Sequence, residues 1–162
     1  MRNTILTCLG LLACTILTSC SSSADDFRPD TIIAMERAAL DRWDHGDPGG
    51  YLDIYGPEVT YFDPFLGKRI DGLEAMRKYL EPFKGKVNVA RFDMIDPKVQ
   101  RRGDAAVLTF NLVSYGKKPD GGEIALARWN ATKVYAKNEG QWRILHEHWS
   151  FTQPELKQPV KE

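Results

Sequence analysis

The sequence has 162 residues, 43% of them hydrophobic and 27% charged, with a formal net charge of zero. That is the composition of one globular domain, and it excludes a disordered tail, a collagen-like rod and a multidomain enzyme. A balanced charge also provides no electrostatic footprint for nucleic acid. The chain opens on MRNTILTCLGLLACTILTSC. One positive charge at Arg2 precedes an apolar run shorter than the ~20 residues of a membrane-spanning helix, and small residues follow. This is the pattern of a secretory signal over residues 1–19.

Leu17-Thr18-Ser19-Cys20 resembles the bacterial lipobox, which implies cleavage before Cys20 and lipidation of that cysteine. The three cysteines are Cys8, Cys14 and Cys20. All three lie at or before the cleavage point, so the mature domain is expected to hold no disulfide, no thiolate metal site and no cysteine nucleophile. Residues 20–27 read as the lipidated cysteine and a flexible tether. Ser21 beside Cys20 resembles the pattern for outer-membrane sorting. The expected location is the cell envelope, facing the periplasm, with the lipid on Cys20 as the membrane contact.

The domain is expected over residues 28–153. Ile32, Met35, Ala39, Leu40 and Trp43 recur at helical spacing between Pro29-Asp30 and His45-Gly46-Asp47-Pro48, which predicts a first helix. Asp47-Pro48 predicts the cap of a short second helix running to Tyr55 and ended by Gly56-Pro57. A strand from Val59 to Asp63 follows. Asp71 is then expected to cap a third helix with Leu73, Met76, Leu80 and Phe83 on one face, ended by Gly85. From Val87 the period changes to two. Four long strands are expected over Val87 to Arg102, Ala105 to Tyr115, Glu123 to Lys137 and Gln141 to Thr152, with a bulge at Asp96-Pro97 and hairpin turns between them. The fold class is therefore α+β: a curved antiparallel sheet, a cone-shaped half barrel, covered by three N-terminal helices. Residues 154–162 read as a flexible tail.

Helix, Gly46-Asp47, short helix ending in Tyr55, strand, Asp63-Pro64-Phe65, Gly72, helix, and a last strand reading Trp142 to Ser150 follow in this order. The arrangement, from Ile32 to Phe151, resembles the SnoaL-like and ketosteroid-isomerase-like members of the nuclear transport factor 2 fold. The resemblance implies a pocket in the open end of the cone. It places Asp63 on the catalytic aspartate of ketosteroid isomerase and Tyr55 on a supporting tyrosine. It also places Ala39 and Ala131 where that enzyme carries its two oxyanion donors, and Leu80 on a further tyrosine. Ketosteroid isomerase is a standard worked case of that donor pair. Losing one such donor costs about 2.7–4 kcal/mol of transition-state stabilisation, which argues against steroid isomerisation.

Candidate catalytic residues are thus Asp63, with apolar neighbours that would favour a general base, and His146. Trp43, Tyr51, Tyr55, Tyr61 and Phe65 are candidates for the apolar wall of a ligand pocket, with Arg128, Asn130 and His148 as polar partners. Strand alternation puts Arg128, Asn130 and Thr132 on one face and Trp129, Ala131, Lys133 and Tyr135 on the other. On the last strand it separates His146 and His148 from Glu147 and Trp149. The polar rows are expected to face the cone, and the rings of Trp129, Tyr135, Trp149 and Phe151 to form a convex dimerisation face; the inverse parity stays open. His146 and His148 share a face but lack a third ligand at fixed spacing, so no metal and no cofactor are expected. Two function classes follow. One is a cofactor-free acid–base enzyme acting on a small, mostly apolar molecule. The other is a non-catalytic ligand-binding or assembly module, resembling in architecture the association domain of calmodulin-dependent kinase. A homodimer is expected under both.

Overall fold

The computed structural model describes residues 27–87 and 89–152. The expected signal, the lipidation site Cys20, the tether up to residue 26 and the tail lie outside the described residues.

Helix α1 (Pro29–Asp44) begins with proline in its first turn and Asp30 beside the positive end of the helix dipole. Its inward face is Ile32, Glu36, Ala39 and Leu40, the spacing that lays one stripe on a core. Helix α2 (Gly49–Leu52) is shorter than the sequence suggests. Gly50 sits against α1, where a β-carbon would meet the Ala39 carbonyl at 3.0 Å. Arg42 fastens α2 at both ends, donating from Nε to Asp47 at 2.7 Å and from Nη1 to Asp53 at 2.8 Å. Gly46 turns the chain with a positive φ, and its missing β-carbon would lie 3.0 Å from Gly85 Cα. The ends of the two longer helices therefore meet backbone to backbone.

Strand β1 (Tyr55–Phe62) starts at the residue expected to end a helix. The Ile144 amide already donates to the Ile54 carbonyl at 2.8 Å, so cross-chain pairing overrides the local turn signal. Gly56-Pro57 sits inside this strand, in the register irregularity between Tyr55 and Thr60, a place where proline's missing donor costs no ladder bond. Asp71 does not cap a helix. It belongs to the two-residue strand β2 (Ile70–Asp71), paired with Thr60 and Tyr61, and is bridged by Arg69. Gly72 occupies the N-cap of α3 (Leu73–Leu80) instead, with a positive φ, and a 3-10 turn at Glu81–Phe83 follows.

Strands β3 (Arg91–Arg102), β4 (Ala105–Lys117), β5 (Glu123–Asn138) and β6 (Gln141–Phe151) form the expected meander. Register slips at Ile95/Lys98, where Asp96 takes a positive φ, as the sequence suggested. The sheet order is β2-β1-β6-β5-β4-β3. The six-stranded sheet is mixed, because β1 runs parallel to β6 while the other pairs are antiparallel. Further bulges at Ser114/Tyr115 and Val134/Tyr135 bend the strands, and the helices fill the concave side. Ile32, Met76, Leu108, Tyr135 and Ile144 are fully buried between the two layers.

The bulge opposite Val134 decides the parity of β6. Tyr135 pairs with Ile144 but Val134 pairs with His146, leaving Leu145 without a partner. Trp142 and Ile144 therefore share the concave face with Glu147 and Trp149, although a strict period of two would separate them. The expectation that the polar rows face the cone is overturned. Trp129, Ala131, Lys133 and Tyr135 of β5 point inward, and Arg128, Asn130 and Thr132 point out. The rings expected to pave a convex interface mostly belong to the interior; Phe151, 45% exposed, sits at the rim.

Candidate functional site

A cavity of about 250 Å³ opens between the helices and the concave face of the sheet. Trp43, Tyr51, Tyr55, Tyr61, Asp63 and Phe65 line it. Leu80, Tyr79, Phe92, Leu112, Trp129 and Trp149 complete the wall. The rings pack edge to face: Trp43 lies 6.3 Å from Tyr51, and Trp129 lies 6.0 Å from Trp149. Such pairs hold a pocket open with little side-chain freedom. Phe65, 72% exposed, stands at the mouth within 5.6 Å of Phe151.

Asp63 directly follows β1 and is held by three donors. Its Oδ1 accepts the Phe65 amide at 2.7 Å, and its Oδ2 accepts the hydroxyls of Tyr61 at 3.1 Å and Tyr79 at 2.5 Å. The first bond is an Asx turn closed by Asp63-Pro64. The other two join the carboxylate to an aromatic wall. Burial, then the hydrogen bond to Asp63 and its charge, push the Tyr79 hydroxyl above its ordinary range. Leu80, which the isomerase resemblance aligned with a tyrosine, lines the cavity beside Tyr79. Ala39 and Ala131 are buried and offer no side-chain donor.

The floor is an ionic network. Glu36 from α1, Lys133 from β5 and Glu147 from β6 are all buried. Lys133 Nζ lies 3.3 Å from Glu36 Oε1 and bridges to Glu147 Oε1. Tyr51 and Tyr135 each donate to Glu36 at 2.8 Å. Trp149 Nε1 donates to Glu147 Oε1. Glu147 lines the cavity, and its Oε2 has no hydrogen-bond partner among the described residues. Burial raises the Glu36 pKa; Lys133 and the two hydroxyls pull it down, while Glu147 adds to the rise. Burial and the charge of Glu147 likewise hold the Tyr55 hydroxyl well above its usual range.

The remaining predicted residues lie elsewhere. Arg128 borders a shallow depression with Leu126, Phe151 and Thr152. Asn130 is exposed on the outer face, where it accepts from Asn111 at 2.8 Å. His146 shares a 2.8 Å hydrogen bond with Thr60 and packs with His148 against Phe62, also outside the cone. Burial, followed by repulsion from His148, lowers the His146 pKa despite the opposing pull of Glu147. The structure therefore separates Asp63 from Arg128 and from both histidines.

Glu147, which lines the cavity, and its buried partners Glu36 and Lys133 carry no role in the sequence-based expectation. Glu36 lies four residues from both Ile32 and Leu40, on the face the helix buries. Lys133 alternates with Ala131 and Tyr135. A charge at each of these positions was the available signal that the core contains ions.

The model of the calcium/calmodulin-dependent protein kinase II association domain matches residues 29–153. The calcium/calmodulin-dependent protein kinase type II alpha chain of Drosophila melanogaster is 27% identical over 132 residues, covering 79% of this chain and 24% of its own. The chain thus spans about a quarter of the length of the curated relatives it matches. Among solved structures, a protein from Parabacteroides distasonis provisionally described as a ketosteroid isomerase is 36% identical, with a TM-score of 0.69, over 82% of this chain and 94% of its own. The association domain of the Caenorhabditis elegans kinase is 26% identical, with a TM-score of 0.63, over 75% and 93%. The nuclear transport factor 2-like fold expected from the sequence is the fold observed.

Proposed function

We propose that this chain, which belongs to the calcium/calmodulin-dependent protein kinase II association-domain family, is a self-associating module that holds a small molecule in its cone. The observation that carries this reading is the combination of a family built on association with a lined, aromatic cavity that the fold leaves unfilled. The outer sheet face supports the first half. Val107, Val134, His146 and Thr60 stand side by side across four strands, and Thr109, Thr132, His148 and Phe62 form the next row. This mixture of apolar and polar groups suits an interface between copies.

Proton-transfer chemistry is the less favoured reading. Asp63 already gives three of its roughly four lone-pair sites to donors of this chain, which stabilise its charged form and weaken it as a base, and neither Ala39 nor Ala131 stabilises an oxyanion. The envelope location and the lipid on Cys20 are part of the proposal, on the strength of the lipobox resemblance. Light scattering on the full-length Cys20→Ser protein tests assembly: a mass of two or more chains at micromolar concentration is expected, and a monomer overturns that half of the reading.

A further inference from the structure

We propose that the cone pocket selects a small organic cation, an aryl- or alkylammonium, with its nitrogen received by Glu147 at the floor and Asp63 at the rim. This rests on the reading of the cavity as a ligand site and adds the charge of the occupant. Two charged side chains line the cavity, Asp63 and Glu147, and both are acidic. Among the described lining residues there is no lysine, arginine or histidine to receive an anion.

Glu147 provides the second, independent observation. It is 1% exposed, its Oε1 is engaged by Trp149 and Lys133, and its Oε2 is buried beside the cavity that Glu147 lines, with no hydrogen-bond partner among the described residues. A buried acceptor left unpaired costs about 1–3 kcal/mol. A ligand N–H donor entering the cavity would remove that cost. A ligand carboxylate would meet Asp63 at the rim and find no cation in the described lining to receive it, since Lys133 is already paired with Glu36 and Glu147.

The rings point the same way. Lys133 Nζ already lies 4.0 Å from the Trp149 ring centroid and 5.0 Å from that of Tyr51. Both rings also border the cavity, whose wall is largely aromatic, and an aromatic wall attracts a ligand cation by the same interaction. Tyr61 hydrogen-bonds Asp63 and feels the charge of Glu147 as well, so one hydroxyl connects the two carboxylate environments. The volume of about 250 Å³ sets the size: at interior packing density it holds roughly ten heavy atoms.

Three probes that share one arene and differ in charge test this on the full-length Cys20→Ser protein: 2-phenylethylammonium, 2-phenylethanol and 3-phenylpropanoate, by calorimetric titration at pH 7. The ammonium is expected to bind about tenfold more tightly than the alcohol, with the carboxylate weakest. Glu147→Gln should remove the difference between ammonium and alcohol. If that variant does not fold, Asp63→Asn provides the same comparison at the rim. Equal binding of alcohol and ammonium, or tightest binding of the carboxylate, overturns cation selection and leaves the pocket reading standing. A tenfold preference that survives both substitutions overturns the assignment of the carboxylates. Binding of none of the three overturns the ligand pocket itself.

Discussion

The ammonium of Lys133 stands 3.3 Å from Glu36 Oε1 with both side chains fully buried, and it also bridges to Glu147. One cation therefore ties α1, β5 and β6 together at the floor of the cone. Removing one partner of a buried ionic pair leaves an uncompensated charge, at about 3–5 kcal/mol. Lys133→Met is expected to lose stability in that range by urea denaturation, since it leaves two carboxylates facing each other. Adding Glu36→Gln and Glu147→Gln to Lys133→Met should recover part of the loss. A single-variant loss below about 1 kcal/mol would show that the network does not hold the layers together.

Glu36 gives the fold a pH dependence of a definite sign. Burial raises its pKa in the folded state above its ordinary value of 4.5, so the native protein keeps this proton where the unfolded chain has released it. Its contribution is full below pH 4.5 and is lost as pH rises through the raised folded value. His146 acts oppositely: its folded pKa lies below 6.5, so its contribution is present above that pH and falls away on acidification. The two slopes overlap between those pH values, and Glu36→Gln separates them. Thermal melts from pH 4 upward should show that the variant gains relative to the parent as pH rises. A constant difference across the range would remove Glu36 as the titrating group.

How much of this was readable beforehand follows from which residues report locally. The Ile32–Leu40 stripe and the turns at Gly103-Asp104 and Asn138-Glu139-Gly140 are properties of short segments, and they predicted α1 and the four-strand meander well. The start of β1 at Tyr55 was not legible, because Gly56-Pro57 imitates a helix stop and only the distant Ile144 overrides it. The same distance hid the sheet parity. Leu145 drops out of register against β5, and that single unpaired residue moves His146 and His148 outside while bringing Glu147 and Trp149 inside. The aromatic wall of the pocket was foreseen. Its ionic floor was not, since periodic reading treats a charge on a buried face as noise.

Asp63 links the rim to the wall. Deleting its carboxylate strands the hydroxyls of Tyr61 and Tyr79 and opens the turn at Phe65. Hydrogen bonds to a charged acceptor contribute about 1.5–3 kcal/mol, so Asp63→Ala is expected to lose that much. Tyr79→Phe should lose less, and the two effects should be non-additive in a double-mutant cycle because they share one bond. Strict additivity would mean that the 2.5 Å contact is energetically silent.

Anchoring is tested outside the folded domain. Cys20→Ser should move the protein from the membrane pellet to the soluble fraction and abolish fatty-acid labelling, with the thermal midpoint of the domain unchanged. A Cys20→Ser protein that still sediments with membranes would remove the lipobox reading and leave the fold untouched. No helix among the described residues is long and apolar enough to cross a membrane.

Assembly turns on the outer sheet face, and Val134 is the informative position there. It lies between Val107 and His146 in one cross-strand row and is half-buried, pointing away from the cone. An ammonium group at this place would meet little of the core, because a long side chain on an outer face reaches solvent in an isolated chain. It would meet a second copy directly if two sheets stack there. Desolvating an unpaired charge at the centre of an interface costs several kcal/mol, enough to weaken association by a factor of about a hundred or more. Val134→Lys in the Cys20→Ser background is therefore expected to reduce the mass seen by light scattering to that of one chain, while the circular dichroism melt changes little. Asn138→Lys, at the exposed last residue of β5, provides the charge-matched control and should leave assembly intact. If Val134→Lys keeps the full assembled mass, the copies meet through another surface.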